Sequence, residues 1–529
     1  MVPLPPETLK EIFEFLQDDL STLYLCMQVD KQWAKLVIEI LWRDTSKFQD
    51  QYFYKETGPN VISTLITCLS ENSKLILKEH GVAIPSTTRP PMFDYAKFCR
   101  NLHISHLNYL IDSFTLRFKG NKISCNTGNR VKTYHLNLYS RYLIKQEIYR
   151  IFVNQCQNLN TLEYRDKSVP LFFLSNAEIC FSNLRELRTT TEMPDSILYR
   201  MTQICRNLES LIIEECHTDN DGLVTFINIQ NRLNYVKIKT KGRRLIENNT
   251  SNDSYIRIIN ALSNKSQSMV HFHIGGNNLG TLSHEDNTKL VNLQKLIIDF
   301  QEDWKMLFKY AIFPNLRVIE LRNPPRALEL LTSFIERTGA NLEIIYFAIP
   351  CVRKPLLTIP AFNKAVAKYC PNLRCLTTWF HNNDIEEFKE VLISCPKLEN
   401  LTLATYRTDP KRCDESFDPH LNEILEIIEK LEESTQQKLR LNKLELCWPW
   451  KIDIDFLENF LVKHKDPKEL KSFYFDPVCV KEFGCDFEDF LELKLRKFKA
   501  NGLINDFGIK NYIRFSNNFV RSRDGLMVL

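Results

Sequence analysis

Sixteen cysteines and eleven histidines are the residues of this chain best equipped to hold a metal or act as nucleophiles. Their spacing argues against both. No C-x-x-C pair occurs, so the strongest zinc and thiol-redox signatures are missing. His271-Phe272-His273 puts two imidazoles on one strand face, but a zinc site needs further ligands and none follows at a characteristic spacing; an exposed strand face is the expectation. Cys370 and Cys375 bracket Pro-Asn-Leu-Arg without the Cys/His arrangement of a catalytic thiol. Glycine is scarce, at 14 residues, and neither G-x-G-x-x-G nor a P-loop is present. The sequence therefore advertises no enzyme, no metal and no cofactor.

The cysteines follow a different rule. Cys99, Cys156, Cys205, Cys370 and Cys395 each stand three residues before a leucine, in CRNL, CQNL, CRNL, CPNL and CPKL, while Phe181 and Phe313 hold that place in FSNL and FPNL. A position open to Cys or Phe is an apolar packing site. The recurrence is an internal repeat. Its anchors are Leu159, Leu184, Leu208, Leu233, Met269, Leu293, Leu316, Leu342, Leu373, Leu398, Leu441 and Leu470, with most steps near 25 residues. Apolar residues recur at the anchor, plus three and plus five, as in Leu398, Leu401 and Leu403. The last two alternate with polar residues, which predicts a short strand with one face in the core. Between strands lie amphipathic segments such as AFNKAVAKYCPNL and DIEEFKEVLISCPKL. One strand and one helix cannot bury their own apolar faces, so neighbouring units must stack.

The N-terminus has another pattern. In LPPETLKEIFEFLQDDLSTLYLCMQVDKQW, residues 4–33, Leu9, Ile12, Phe13 and Leu16 fall on one face of a helix that Pro5 and Pro6 introduce. Glu7, Lys10, Glu11 and Glu14 interrupt the run, which excludes a secretory signal. Two further short helices follow, around Leu20–Met27 and Val29–Ile40. Three such helices are little material for an independent core, so something must cover them.

Leu4, Pro5, Leu9, Ile12, Phe13, Leu16, Leu20, Val29 and Trp33 resemble an F-box, and L-x-x-L-x-L with LESLIIEEC at 208–216 resembles the repeats of F-box proteins of the leucine-rich-repeat class. Asp30-Lys31 stands where that family often has Cys-Arg or Cys-Lys, and most repeats lack the terminal Cys. The resemblance implies an α/β fold in which a three-helix F-box precedes a curved leucine-rich-repeat solenoid, parallel strands concave and helices convex. It also implies a substrate receptor of an SCF-type cullin-RING ubiquitin ligase. The F-box would dock the Skp adaptor through Leu4, Pro5, Ile12, Phe13, Leu16, Val29 and Trp33, and the repeats would hold a target protein for degradation. The alternative is a non-degradative scaffold using the same repeat surface.

Solvent-facing strand positions, at plus two, plus four and plus six, give Tyr235, Arg322, Tyr346 and Trp379 as a substrate-binding patch of the residue types that dominate interfaces. The expected boundaries are 1–45 for the F-box, 46–97 for a connecting segment with turns at ETGPN and IPSTTRPPMFD, 98–500 for the array and 501–529 for a tail. Residues 98–158 are read as irregular leading repeats, with YHLNLYS a strand, and FEDFLELKLRKFK as a capping helix. Lys+Arg of 69 against Asp+Glu of 65 leaves a net charge of +4, no electrostatic case for nucleic acid or membrane. With no signal and no apolar run long enough to span a bilayer, a cytoplasmic or nuclear location is expected.

Overall fold

Among the described residues fourteen short strands form, and each of the twelve that follow a predicted anchor is apolar at the position three residues after it. The computed structural model describes residues 4–49, 54–82, 84, 91–120, 138–216, 218–239, 256–265, 267–275, 290–299, 307–309, 311–322, 328–348, 358–380, 384–405, 420–435, 439–447, 450–464, 470, 472–475 and 485–509. It divides into two units, Met1–Lys241 with Thr250–Leu262, and Gly242–Asn249 with Ser263–Leu529.

The first unit opens with helices α1 (Pro6–Phe15), α2 (Leu20–Cys26) and α3 (Lys31–Leu41). Two more helices, Tyr54–Thr67 and Glu71–Glu79, precede strands β1 (Asn101–His103), β2 (Thr161–Glu163), β3 (Glu186–Thr189), β4 (Ser210–Glu214) and β5 (Tyr235–Lys239). These strands pair in chain order, all parallel. In the second unit β6 (His271–Gly275), β7 (Lys295–Ile298), β8 (Val318–Leu321), β9 (Ile344–Phe347), β10 (Cys375–Trp379), β11 (Asn400–Ala404), β12 (Lys443–Cys447), β13 (Ser472–Phe475) and β14 (Asp506–Ile509) do the same. A parallel neighbour requires a crossover. Helices such as Asp195–Ile204, Ile359–Tyr369 and Ile385–Ser394 supply it and bury their apolar faces under the strands.

Register follows the repeat. Leu102, Leu162, Leu187, Leu211 and Val236 are partners across the first unit, and Phe272, Leu296, Ile319, Ile345, Leu376, Leu401, Leu444 and Phe473 across the second. All are buried, as are the twelve predicted anchors. A second ladder forms where the chain enters each strand. There one carbonyl accepts two successive N–H groups of the next unit: Asn160 O from Arg185 and Glu186, Gln294 O from Arg317 and Val318, Arg374 O from Glu399 and Asn400. Just before the anchor, Asn315, Asn341 and Asn372 donate side-chain N–H groups back to Val291, Pro314 and Ala340 carbonyls at 2.8–3.0 Å. In the second unit this gives the recurrent Asn-Leu pair a role: asparagine ties the loop before each anchor to the loop one repeat earlier.

The Cys/Phe positions are buried packing sites, as their interchange predicts. Cysteine adds one thing. Cys205 Sγ donates to Phe181 O and Cys395 Sγ to Cys370 O, each at 3.4 Å and each to the equivalent position one repeat earlier.

Several expectations are corrected. The ETGPN stretch is no turn but lies in helix Tyr54–Thr67, because Val61, Ile62, Leu65 and Ile66 bury a continuous helical stripe that outweighs the backbone donor missing at Pro59. Leu138–Ser140 of YHLNLYS open helix Leu138–Gln155 rather than a strand, since Leu143, Ile144, Ile148 and Ile151 recur at helical spacing; its first four residues lie outside the described residues. FEDFLELKLRKFK falls in helix Cys485–Ala500, and this helix is not terminal. Gly502, with φ of 70°, closes it, and β14 then pairs with β13, so the repeat continues past the predicted boundary at 500. The run 423–445 splits into helix Leu421–Thr435 and the start of β12. FSNNFVRSRDGLMVL and residues 85–90 of IPSTTRPPMFD lie outside the described residues. Among the described residues no helix is long and apolar enough to cross a membrane.

Candidate functional site

The N-terminal helices enclose a core of Leu9, Phe13, Leu23, Val37 and Ile40, flanked by half-buried Leu16, Met27, Trp33 and Leu36. Their starts are well specified. Asp19 accepts from Thr22 N at 3.0 Å to cap α2, and Asp30 accepts from Gln32 N and Trp33 N at 2.7 and 2.8 Å to cap α3, which satisfies donors that a helix cannot satisfy itself. The Asp30 that departs from the F-box pattern is thus a helix cap. Arg43 forks Glu14 at 2.5 and 2.7 Å and ties α3 back to α1.

Of the residues singled out from sequence, Leu4, Pro5, Ile12 and Val29 are exposed, Val29 to 60%. Leu16 and Trp33 are half-buried against the core, with Trp33 edge-on to Phe13 at 5.0 Å. Phe13 is corrected: at 1% exposure it is a core residue and offers nothing to a partner, because the face shared with Leu9 is the one packed on α3. Sequence reasoning missed Phe15, Tyr24 and Leu25, which stand 91%, 49% and 64% exposed. The signal was available, since Ile12 and Phe15 are three apart on the flank of α1 away from Lys10 and Glu14.

The strand face carries the other predicted residues. Tyr235 belongs to the first unit and is half-buried on β5. In the second unit, His273 Nε2 meets Asp299 Oδ1 at 2.8 Å, Arg322 lies 3.4 Å from Asp299, and its Nε donates to Glu320 at 2.9 Å. Tyr346 is half-buried beside them; burial, then the Glu445 and Glu320 carboxylates, raise its phenol well above the ordinary value. Trp379 is corrected: it is fully buried and packs on Phe347 with ring centroids 4.9 Å apart. The last residues of β10, Thr377, Thr378 and Trp379, are all buried, so strict alternation fails where the strand ends. His273 is likewise buried rather than exposed. Mid-strand residues of a parallel sheet are covered by neighbours about 4.8 Å away on both sides.

The first unit repeats the theme. Buried Glu163 accepts from Ser105 N and Oγ at 2.8 and 2.6 Å and from Arg165 at 2.6 Å. Burial alone would raise its carboxyl, but these bonds outweigh burial and hold it below the ordinary range. Arg165 also reaches Glu214 at 2.8 Å. Both strand faces therefore present ion pairs already closed within the sheet. Among the described residues no group of three His, Cys, Asp or Glu side chains is gathered to hold a metal. No protein-family model matches this sequence, and no curated protein matches it either.

Proposed function

We propose that this protein is a substrate receptor of an SCF-type cullin-RING ubiquitin ligase, with residues 4–41 acting as an F-box that docks a Skp adaptor and the leucine-rich-repeat strands holding the protein to be ubiquitinated. One observation carries the reading. Ile12 and Phe15 on α1, Tyr24 and Leu25 on α2, Leu4 just before α1 and Val29 between α2 and α3 are exposed and stand outside the buried core of the module. Six large exposed apolar side chains between residues 4 and 29 are a concentration rather than a scatter, and such a concentration marks an interaction surface. Asp30, standing where the family often has Cys, caps α3 here. The ordered register of the anchors supports a repeat array as the second half of the receptor, which performs no chemistry itself.

A pull-down of the full chain with purified Skp adaptor tests this. Ile12→Glu/Phe15→Ala/Leu25→Ala/Val29→Ala is expected to abolish capture while its circular dichroism stays that of the unaltered chain. Phe13 is left out of the variant because its loss would disturb the helices themselves. Failure of the unaltered chain to capture the adaptor overturns the reading in favour of a scaffold.

A further inference from the structure

Between α3 and the start of β1 lies a polar cleft of about 450 Å³, with Lys10, Glu39 and Arg43 on one side and Lys97, Arg100 and Gln155 among the residues on the other. Two of its cations are spent. Lys10 pairs with Glu39 at 3.2 Å, and Arg43 forks Glu14. Lys97 and Arg100 have no carboxylate within 4.0 Å among the described residues.

Arg100 is the informative one. It is half-buried, and among the described residues every other half-buried arginine of this unit has a carboxylate: Arg43, Arg141, Arg150, Arg165, Arg188 and Arg200. A partly desolvated guanidinium calls for an anion. Its backbone is pinned on both sides, the N–H to Arg43 O at 2.8 Å and the carbonyl to Asn160 N and Thr161 N at 2.8 and 3.1 Å. The same cleft is lined by the polar side chains of Gln157 and Asn158, both exposed.

We propose that this cleft binds a small phosphate monoester. Arg100 and Lys97 take the phosphoryl oxygens, and the ester's carrier lies in the rest of the cleft beside the exposed side chains of Gln157 and Asn158. The guanidinium fork matches phosphate geometry. The volume is that of a small-molecule site rather than a protein interface. At 100° per residue, Lys10 and Glu14 lie on one flank of α1 and Ile12 and Phe15 on the other. The site is thus independent of the proposed adaptor surface, and either reading can fail alone.

Isothermal titration calorimetry of the full chain with glycerol 3-phosphate tests the assignment, with inorganic phosphate and glycerol as comparison arms. One saturable site is expected for the ester, weaker binding for inorganic phosphate and none for glycerol. Arg100→Gln and Lys97→Gln should each weaken the ester at least tenfold. Arg206→Gln, an exposed arginine at the same place in the other CRNL, should change nothing. Lys97 is exposed, so its variant remains informative should Arg100→Gln fail to fold. No saturable binding, equal weakening by Arg206→Gln, inorganic phosphate binding as tightly as the ester, or tighter binding of a polyglutamate peptide each overturns the proposal.

Discussion

At His103 burial and charge oppose one another. Desolvation lowers the imidazole below its ordinary value of 6.5, Asp44 pulls it up, Arg188 pushes it down, and Glu163 and Glu186 pull it up again; burial wins. The folded chain thus holds fewer protons at His103 than the unfolded chain does just below pH 6.5. Stability from this residue is present above that pH and is lost as pH falls through the unfolded-state value. His103→Asn should flatten the fall of the urea midpoint between about pH 6.5 and 5, and an unchanged profile would refute this. The buried thiols make a second residue-scale case. Burial pushes Cys395 up to about 12, so the native chain should leave it unlabelled by Ellman's reagent at pH 8 until denaturant is added, and Cys395→Ala should cost about 1–2 kcal/mol through the small cavity and the lost bond to Cys370 O. The packing role of these cysteines was legible because phenylalanine substitutes for them in the repeat. The burial of His273 and Trp379 was not, because alternation reports which face a residue points to and is silent on what covers that face.

On α1, two phenylalanines two residues apart have opposite duties. Phe13 fills the core against Trp33, whereas Phe15 stands in solvent. Phe13→Ala should cost about 3–5 kcal/mol locally, read as loss of helical signal and faster amide exchange over residues 6–41. Phe15→Ala should stay within about 0.5 kcal/mol. Similar losses from the two would mean that the helices pack otherwise. Helix existence was legible wherever apolar residues recur at 3.6, as in Ile385–Ser394, and the strands wherever plus three and plus five alternate. Breakers misled: Gly58-Pro59 reads locally as a turn, yet the buried stripe from Val61 onward carries the helix through it. Local propensity lost to tertiary burial there, a competition no window of a few residues can weigh.

For the whole molecule the decisive junction is at residues 43–46 and 100–103. Arg43 O accepts from both Arg100 N and Asn101 N, the same two-donor rung that Arg100 O, Asn160 O, Arg185 O and Glu209 O form in turn along the first unit. Asp44 accepts from Ser46 N, Ser46 Oγ and Asn101 Nδ2, while Trp42 packs on Tyr95 with ring centroids 4.7 Å apart. The sequence shows a short helical module followed by turn signals and so suggests a tethered add-on; nothing in the composition of 43–46 announces a rung. The geometry makes α3 and its exit the first layer of the stack. Stability in such arrays is a sum of unit and nearest-neighbour terms, and an end unit must be capped. A module tethered by a linker could be removed at no cost to the repeats, whereas a cap cannot. Deleting residues 1–49 should therefore uncover β1 and the helix Ile104–Gly120, losing at least about 3 kcal/mol from the first unit and lowering its melting by about 6–12 °C, with amide protection falling first at Asn101–His103. If residues 50–529 melt as the full chain does, the helices are an appendage, and the repeats carry their own beginning.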